Sequence, residues 1–69
     1  MNYDDIYYFQ QEHRLSDSAI QFMLDLLANN GFNPKEVLDI KYFPKTDLIE
    51  IYTSNGKLCI RKEWLRRIN

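Results

Sequence analysis

The sequence has few of the residues from which enclosed catalytic or metal sites are built. It contains one cysteine, one histidine, two glycines and two prolines in 69 residues. Cys59 alone cannot form an internal disulfide, which is typical of a protein from a reducing compartment. Gly31 and Gly56 are too far apart for a glycine-rich phosphate loop. A zinc site would need His13, Cys59 and carboxylates together, an uncommon ligand set, so we predict neither metal nor cofactor and place His13 on the surface.

Long apolar segments are also missing. The longest uninterrupted apolar run, residues 6–9, has four residues, whereas a membrane-spanning helix needs about 20. The first residues include the acidic Asp4 and Asp5, where a signal peptide carries basic side chains. We therefore expect a cytoplasmic protein with no membrane segment.

The composition is that of a small globular domain, with 45% apolar and 28% charged residues. A chain of this size buries roughly 60% of its surface on folding, so residues 1–69 are predicted to form one domain with a thin core. No nucleophile beside a base and no spaced pair of carboxylates can be recognised, so we predict no enzyme. No motif assigns the chain to a known family.

Two helices are predicted in the N-terminal half. Ser16 is a suitable N-cap and Gly31 suits the left-handed position after a helix, which predicts a helix over residues 17–29. Its apolar residues follow the i, i+3, i+4, i+7 spacing of one buried face: Ile20, Met23, Leu24 and Leu27. A shorter helix is predicted over residues 3–12, and Asn33 before Pro34 predicts one further helical turn.

After residue 37 the apolar period changes to two, which predicts β-strands. Residues 44–47 form the first turn, and Asn55 with Gly56 forms a type I′ turn, so the strands make a three-stranded antiparallel meander. The first turn pairs Lys41 with Glu50, and the second pairs Glu50 with Arg61. One face of the sheet is then apolar: Leu38, Ile40, Tyr42, Ile49, Ile51, Leu58 and Ile60.

A short helix over residues 62–68 is predicted to turn Trp64, Leu65 and Ile68 toward the core. The predicted fold class is α+β: a helical N-terminal half packed on a three-stranded antiparallel β-meander, with a short C-terminal helix.

Ten aromatic residues are more than so small a core can hide. Two arrangements are open: either the N-terminal segment covers the sheet face opposite the long helix, or that face is exposed. Tyrosine is enriched at protein interfaces because it buries a large ring and keeps a polar hydroxyl. The candidate protein-binding residues are Tyr3, Tyr7, Tyr8, Phe43, Leu48 and Tyr52.

Charge is divided unevenly along the chain. Residues 1–36 carry six acidic and two basic side chains, a net charge of −4, whereas residues 37–69 carry four acidic and seven basic side chains, a net charge of +3. A basic group near the C-terminal end is the alternative candidate site, for nucleic acid: Arg61, Lys62, Arg66 and Arg67. The sequence pI of about 5.7 is low for a nucleic-acid-binding domain.

The sequence thus predicts a small non-enzymatic interaction or regulatory protein, of the adaptor or inhibitor type, that acts through an aromatic and acidic surface. Its partner is another protein or a second copy of the chain in a homodimer. The alternative is a small nucleic-acid-binding module that uses the basic group.

Overall fold

The computed structural model describes residues 3–68, with side chains from residue 5 onward, and has the predicted α+β architecture. The strands form one antiparallel sheet in the order β1-β2-β3. No described helix is long and apolar enough to cross a membrane. The elements follow one another as α1 (Tyr3–His13), α2 (Asp17–Asn29), a 3-10 turn (Pro34–Glu36), β1 (Val37–Phe43), β2 (Leu48–Thr53), β3 (Gly56–Arg61) and α3 (Lys62–Arg66).

Helix α2 begins and ends where its sequence predicts. The Ser16 hydroxyl oxygen accepts a hydrogen bond from the amide of Ala19 at 3.0 Å, which satisfies one of the unpaired donors of the first turn. At the other end Gly31 has a φ of +83°, and the amide of Phe32 donates to the carbonyl of Leu27 at 2.9 Å. This is the hydrogen bond of a Schellman stop.

A β-bulge at the start of β1 changes which residue faces the core. The register with β2 shifts between Val37 and Asp39. Val37 is therefore buried, whereas Leu38 is 58% exposed. The prediction that Leu38 belongs to the apolar face is wrong, because one extra residue interrupts the strict alternation on which it depended.

The first hairpin has the predicted register. Ile40 pairs with Ile51 and Lys41 pairs with Glu50. The four-residue loop between the strands ends at Asp47, which has a φ of +56°, a conformation that Asp tolerates better than most residues.

The second hairpin differs from the prediction by two residues. Thr53 pairs with Gly56, so the loop consists of Ser54 and Asn55. Thr53 stabilises this turn because its hydroxyl accepts a hydrogen bond from the amide of Asn55 and donates to the carbonyl of Gly56. Gly56, with a φ of +137°, starts β3 against the ring of Phe32. A two-residue shift keeps every side chain on its face.

The corrected register also changes the predicted charge row. Glu50 lies opposite Cys59, and Arg61 lies opposite Leu48. The predicted pair of Glu50 and Arg61 is therefore wrong, because it assumed that Asn55 and Gly56 fill the loop. The row is Lys41, Glu50 and Cys59.

Both N-terminal helices pack on the same side of the sheet, which we call the inner face. Ile6 and Phe9 of α1 belong to the same buried cluster as Ile49 and Ile51 of β2. Of the two arrangements left open by the sequence, the structure therefore has the second, in which α1 lies on the inner side. The opposite side, the outer face, carries Phe43 with 41% of its surface exposed.

The C-terminal segment packs on the core through two of the three predicted residues. Leu65 is buried and Ile68 is half-buried, but Trp64 is 50% exposed. The prediction that Trp64 faces the core is wrong, because a five-residue helix presents only a narrow stripe and Leu65 occupies it. The Ser16 hydroxyl donates to the Ile68 carbonyl at 2.8 Å, which joins this end of the domain to the start of α2.

Candidate functional site

A groove lies between helix α1 and strand β1. Its volume is about 230 Å³, below the roughly 300 to 1,000 Å³ of a typical small-molecule pocket. It therefore has room for one or two side chains rather than for a cofactor. Six residues line it, four at i, i+3, i+4 and i+7 on α1 and two on β1: Asp5, Tyr8, Phe9, Glu12, Asp39 and Ile40.

The groove is acidic at its rim and apolar at its base. Phe9 is 7% exposed and Ile40 is half-buried, whereas Asp5, Glu12 and Asp39 are exposed. None of the six lining residues is basic. Because carboxylates of one sign in a concave site concentrate ions of the opposite sign, the groove favours a cationic ligand.

One of the predicted tyrosines lines this groove, and a second lies next to it on α1. Tyr7 is 56% exposed and Tyr8 is 67% exposed, and their rings meet edge to face with centroids 6.0 Å apart. Tyr8 is also part of the groove lining. Tyr3 starts α1, but its side chain lies outside the described residues, so its role stays a prediction.

The other predicted contact residues lie on the outer face of the sheet. Phe43 is exposed there, and Leu48 and Tyr52 are half-buried. Charged residues alternate with these apolar ones, so the outer face is not a continuous apolar patch. Its three cross-strand rows are Asp39, Tyr52 and Lys57; Lys41, Glu50 and Cys59; and Phe43, Leu48 and Arg61.

Tyr52 is covered by its own neighbours. Its hydroxyl donates a hydrogen bond to the Glu50 carboxylate, and the Nζ atoms of Lys41 and Lys57 lie 5.5 and 5.9 Å from the centre of its ring. The hydrogen bond from Tyr52 is the main cause that lowers the pKa of Glu50, and the same bond raises the pKa of Tyr52. Tyr52 and Glu50 therefore belong to a network of polar contacts on the outer face of the sheet.

The structure therefore separates the predicted contact residues into two surfaces. Tyr7 and Tyr8 are neighbours on α1, and Phe43, Leu48 and Tyr52 lie on the outer face. The described side chains of these residues do not form one continuous aromatic surface.

The four basic residues of the alternative site are divided between a strand and a helix. Arg61 is the last residue of β3 and lies on the outer face. Lys62 is the first residue of α3, and Arg66 is the last. The Nζ of Lys62 lies 4.7 Å from the centre of the Tyr42 ring. Arg67 Nη2 is 3.0 Å from the carboxylate four residues earlier, so these cations contact groups of their own fold.

Asp47 joins the first hairpin to α3. Its Oδ1 accepts a hydrogen bond from the Tyr42 hydroxyl at 3.0 Å and lies 3.6 Å from Arg66 Nη2. Its Oδ2 accepts one from the amide of Glu63 at 3.0 Å, which caps the helix from a distant loop. Burial raises the pKa of Asp47, but the hydrogen bonds from Tyr42 and Glu63 and the charge of Arg66 outweigh it, so the pKa is lowered.

His13 is a packing residue between α1 and the sheet, not the surface residue that the sequence predicts. Its ring centre is 4.3 Å from that of Phe9 and 5.1 Å from that of Tyr42, and its side chain is 13% exposed. Burial is the main cause that lowers its pKa from 6.5, the charge of Lys62 lowers it further, and Glu12 opposes the shift. His13 is therefore mainly neutral at pH 7.

Sequence reasoning missed the carboxylates of the groove. Asp5 and Glu12 share a helical stripe with Tyr8, and that spacing was a usable indication. Asp39 reaches the groove only where α1 packs beside β1, and nothing in the sequence indicates that Asp47 caps α3. Over residues 5–68, no three histidine, cysteine or carboxylate side chains come together as a possible metal site.

Comparison with known proteins adds no family to this description. No protein-family model matches the chain, and neither a curated protein nor a solved structure is similar to it.

Proposed function

We propose that this protein is a small, non-enzymatic, cytoplasmic binding module that regulates another protein by docking it along α1 and β1. The observation that carries the proposal is the acidic groove lined by the exposed Tyr8, whose ring contacts that of Tyr7. Tyr8 is the most exposed large aromatic residue of the described chain, and it stands beside three carboxylates of the lining. Aromatic anchors next to a defined groove are the arrangement from which protein interfaces gain most of their affinity.

The other surfaces support binding less well. On the outer face the exposed Phe43 stands among charged residues of all three strands, so a homodimer through this face would bury many charges. Of the basic residues, Arg66 contacts Asp47 and Lys62 lies over Tyr42. A nucleic acid would have to compete with these contacts.

The test is a differential pull-down from the native host with three versions of the full chain. The wild type is compared with Tyr7→Ser/Tyr8→Ser and with Phe43→Ser, which removes an exposed aromatic residue from the outer face. We expect a partner that the wild type and Phe43→Ser retain and the double variant loses. Circular dichroism of each version confirms that it is folded.

Two results would contradict this proposal. A partner lost only with Phe43→Ser would move the binding surface to the outer face. Retention of single-stranded or duplex DNA by the wild type at low salt, with loss on replacing Arg66 and Arg67 by Ala, would favour the nucleic-acid alternative.

A further inference from the structure

The groove runs along an edge of the sheet. Strand β1 has β2 on one side and no described strand on the other. In an antiparallel strand the N–H and C=O of one residue point to the same side, and successive residues alternate sides. The amide of Ile40 donates to the Asp39 Oδ1 at 2.9 Å, an acceptor outside the β1–β2 ladder. Ile40 therefore turns its backbone polar groups to the open edge.

This edge is protected but not closed. The bulge at Leu38 and the carboxylate of Asp39 both oppose indiscriminate strand pairing, as such devices do in other edge strands. The hydrogen bond from the Ile40 amide to the Asp39 carboxylate joins neighbouring residues and is exposed to solvent. A ligand could place a cationic group near the Asp39 carboxylate and a carbonyl near the Ile40 amide. It would then replace this one hydrogen bond with two contacts.

The open strand edge beside the groove fits an extended chain better than a helix. The groove volume of about 230 Å³ takes one or two side chains, and the backbone of an extended segment, unlike that of a helix, can hydrogen-bond to the edge of β1. An extended segment turns alternate side chains to alternate faces. Its inward side chains would reach Phe9 and Ile40, and basic side chains would reach the rim carboxylates.

We propose that the docking segment of the partner is an extended, lysine- or arginine-rich stretch of protein that lies in the groove and adds a strand to β1. This proposal rests on the proposed function and specifies its ligand. The cationic side chains pair with Asp5, Glu12 and Asp39, and a backbone carbonyl of the segment accepts the hydrogen bond of the Ile40 amide. Main-chain bonds supply affinity and the carboxylates supply selectivity, as in other complexes that extend a sheet.

The test is selection of random peptides displayed on phage against the immobilised full-length protein. We expect enriched sequences with net positive charge. A synthetic peptide of the most enriched sequence is then measured against Asp5→Lys/Glu12→Lys, with Asp25→Lys/Glu36→Lys as the control of equal charge change on exposed positions elsewhere. We expect affinity to fall about tenfold or more in the groove variant and to change little in the control.

Amide hydrogen exchange of the complex measures the added strand directly. We expect exchange at Ile40 to slow about tenfold or more when the peptide is bound, because its amide is then part of a ladder. Enrichment of neutral or acidic peptides, failure to enrich any peptide, equal binding by both variants, or unchanged exchange at Ile40 would each overturn the inference. The proposed function would survive any of these results if the pull-down still shows a partner that depends on Tyr7 and Tyr8.

Discussion

The inner and outer faces of the sheet belong to the same three strands and differ in what holds their side chains in place. On the inner face Ile49 and Ile51 have no exposed surface, and packing against two helices fixes them. On the outer face Glu50 and Tyr52 contact each other and nearby lysines in the presence of solvent. Burial of the inner face therefore contributes most of the stability of the domain, and the solvated contacts of the outer face contribute less.

The groove lies at the border between these two regions. Phe9 and Ile40 anchor its base to the inner core, and the carboxylates of its rim are solvated. A site of this kind combines a rigid support with exposed groups that a partner can contact. This is why the proposed binding site is at the α1 edge and not at the centre of either face.

The largest effect is expected from shortening a residue of the inner face. Ile51→Ala should lower the free energy of unfolding by about 2 to 5 kcal/mol, because it leaves a cavity between Ile40 and Leu58. A domain of this size would then be largely unfolded. Leu48→Ala, on the same strand and the outer face, should have a much smaller effect in the same urea titration. Equal losses for the two variants would show that the faces do not differ as described.

The next effect is expected where the hairpin meets α3. Asp47→Gly keeps a backbone that accepts a positive φ but removes the acceptors of Tyr42 and Glu63. We expect its thermal unfolding midpoint to fall by several degrees. Asp47→Asn tolerates the same backbone and keeps an oxygen for one of the bonds, so its loss should be smaller. A Gly variant as stable as the wild type would mean that the cap contributes nothing.

A smaller effect is expected from pH at the helix-sheet contact. The pKa of His13 is lowered in the folded state, mainly by burial, so the unfolded chain binds a proton more readily. Stability should be complete above pH 6.5 and should decrease as the pH falls below 6.5 toward the folded pKa. Denaturation curves across this range should show a decrease that His13→Gln lacks. A decrease of equal size in both proteins would assign it to carboxylates, whose lowered pKa values act at more acidic pH.

The smallest effect is expected at the outer face. Tyr52→Glu removes the hydroxyl bonded to Glu50 and places its charge among both lysines and carboxylates, whose effects oppose each other. We expect the variant to fold with nearly unchanged stability and both proteins to sediment as monomers. A wild-type dimer that the substitution dissociates would instead make the outer face a dimer interface.

Local patterns in the sequence were sufficient for most of the fold. The capping of α2 by Ser16 and its stop at Gly31 depend on neighbouring residues, and the period-two segments specify strands whose turns are short. The register of the second hairpin was predicted less well. The Thr53 hydroxyl stabilises a turn of Ser54 and Asn55 instead of the predicted turn of Asn55 and Gly56. The Leu38 bulge could not be predicted, since only pairing with β2 reveals an extra residue.

The candidate site divides in the same way. By itself the sequence determined that the chain forms an α+β domain, that acidic residues concentrate in its first half, and that aromatic residues exceed the capacity of the core. Only the tertiary structure decided which side of the sheet α1 occupies, and therefore that Tyr8 and Asp39 line one groove while Phe43 is exposed on the outer face. The physical reason is the sequence distance between the interacting residues. Caps, turns and periodicity depend on residues a few positions apart, whereas the groove is formed by residues about thirty positions apart that only tertiary packing brings together.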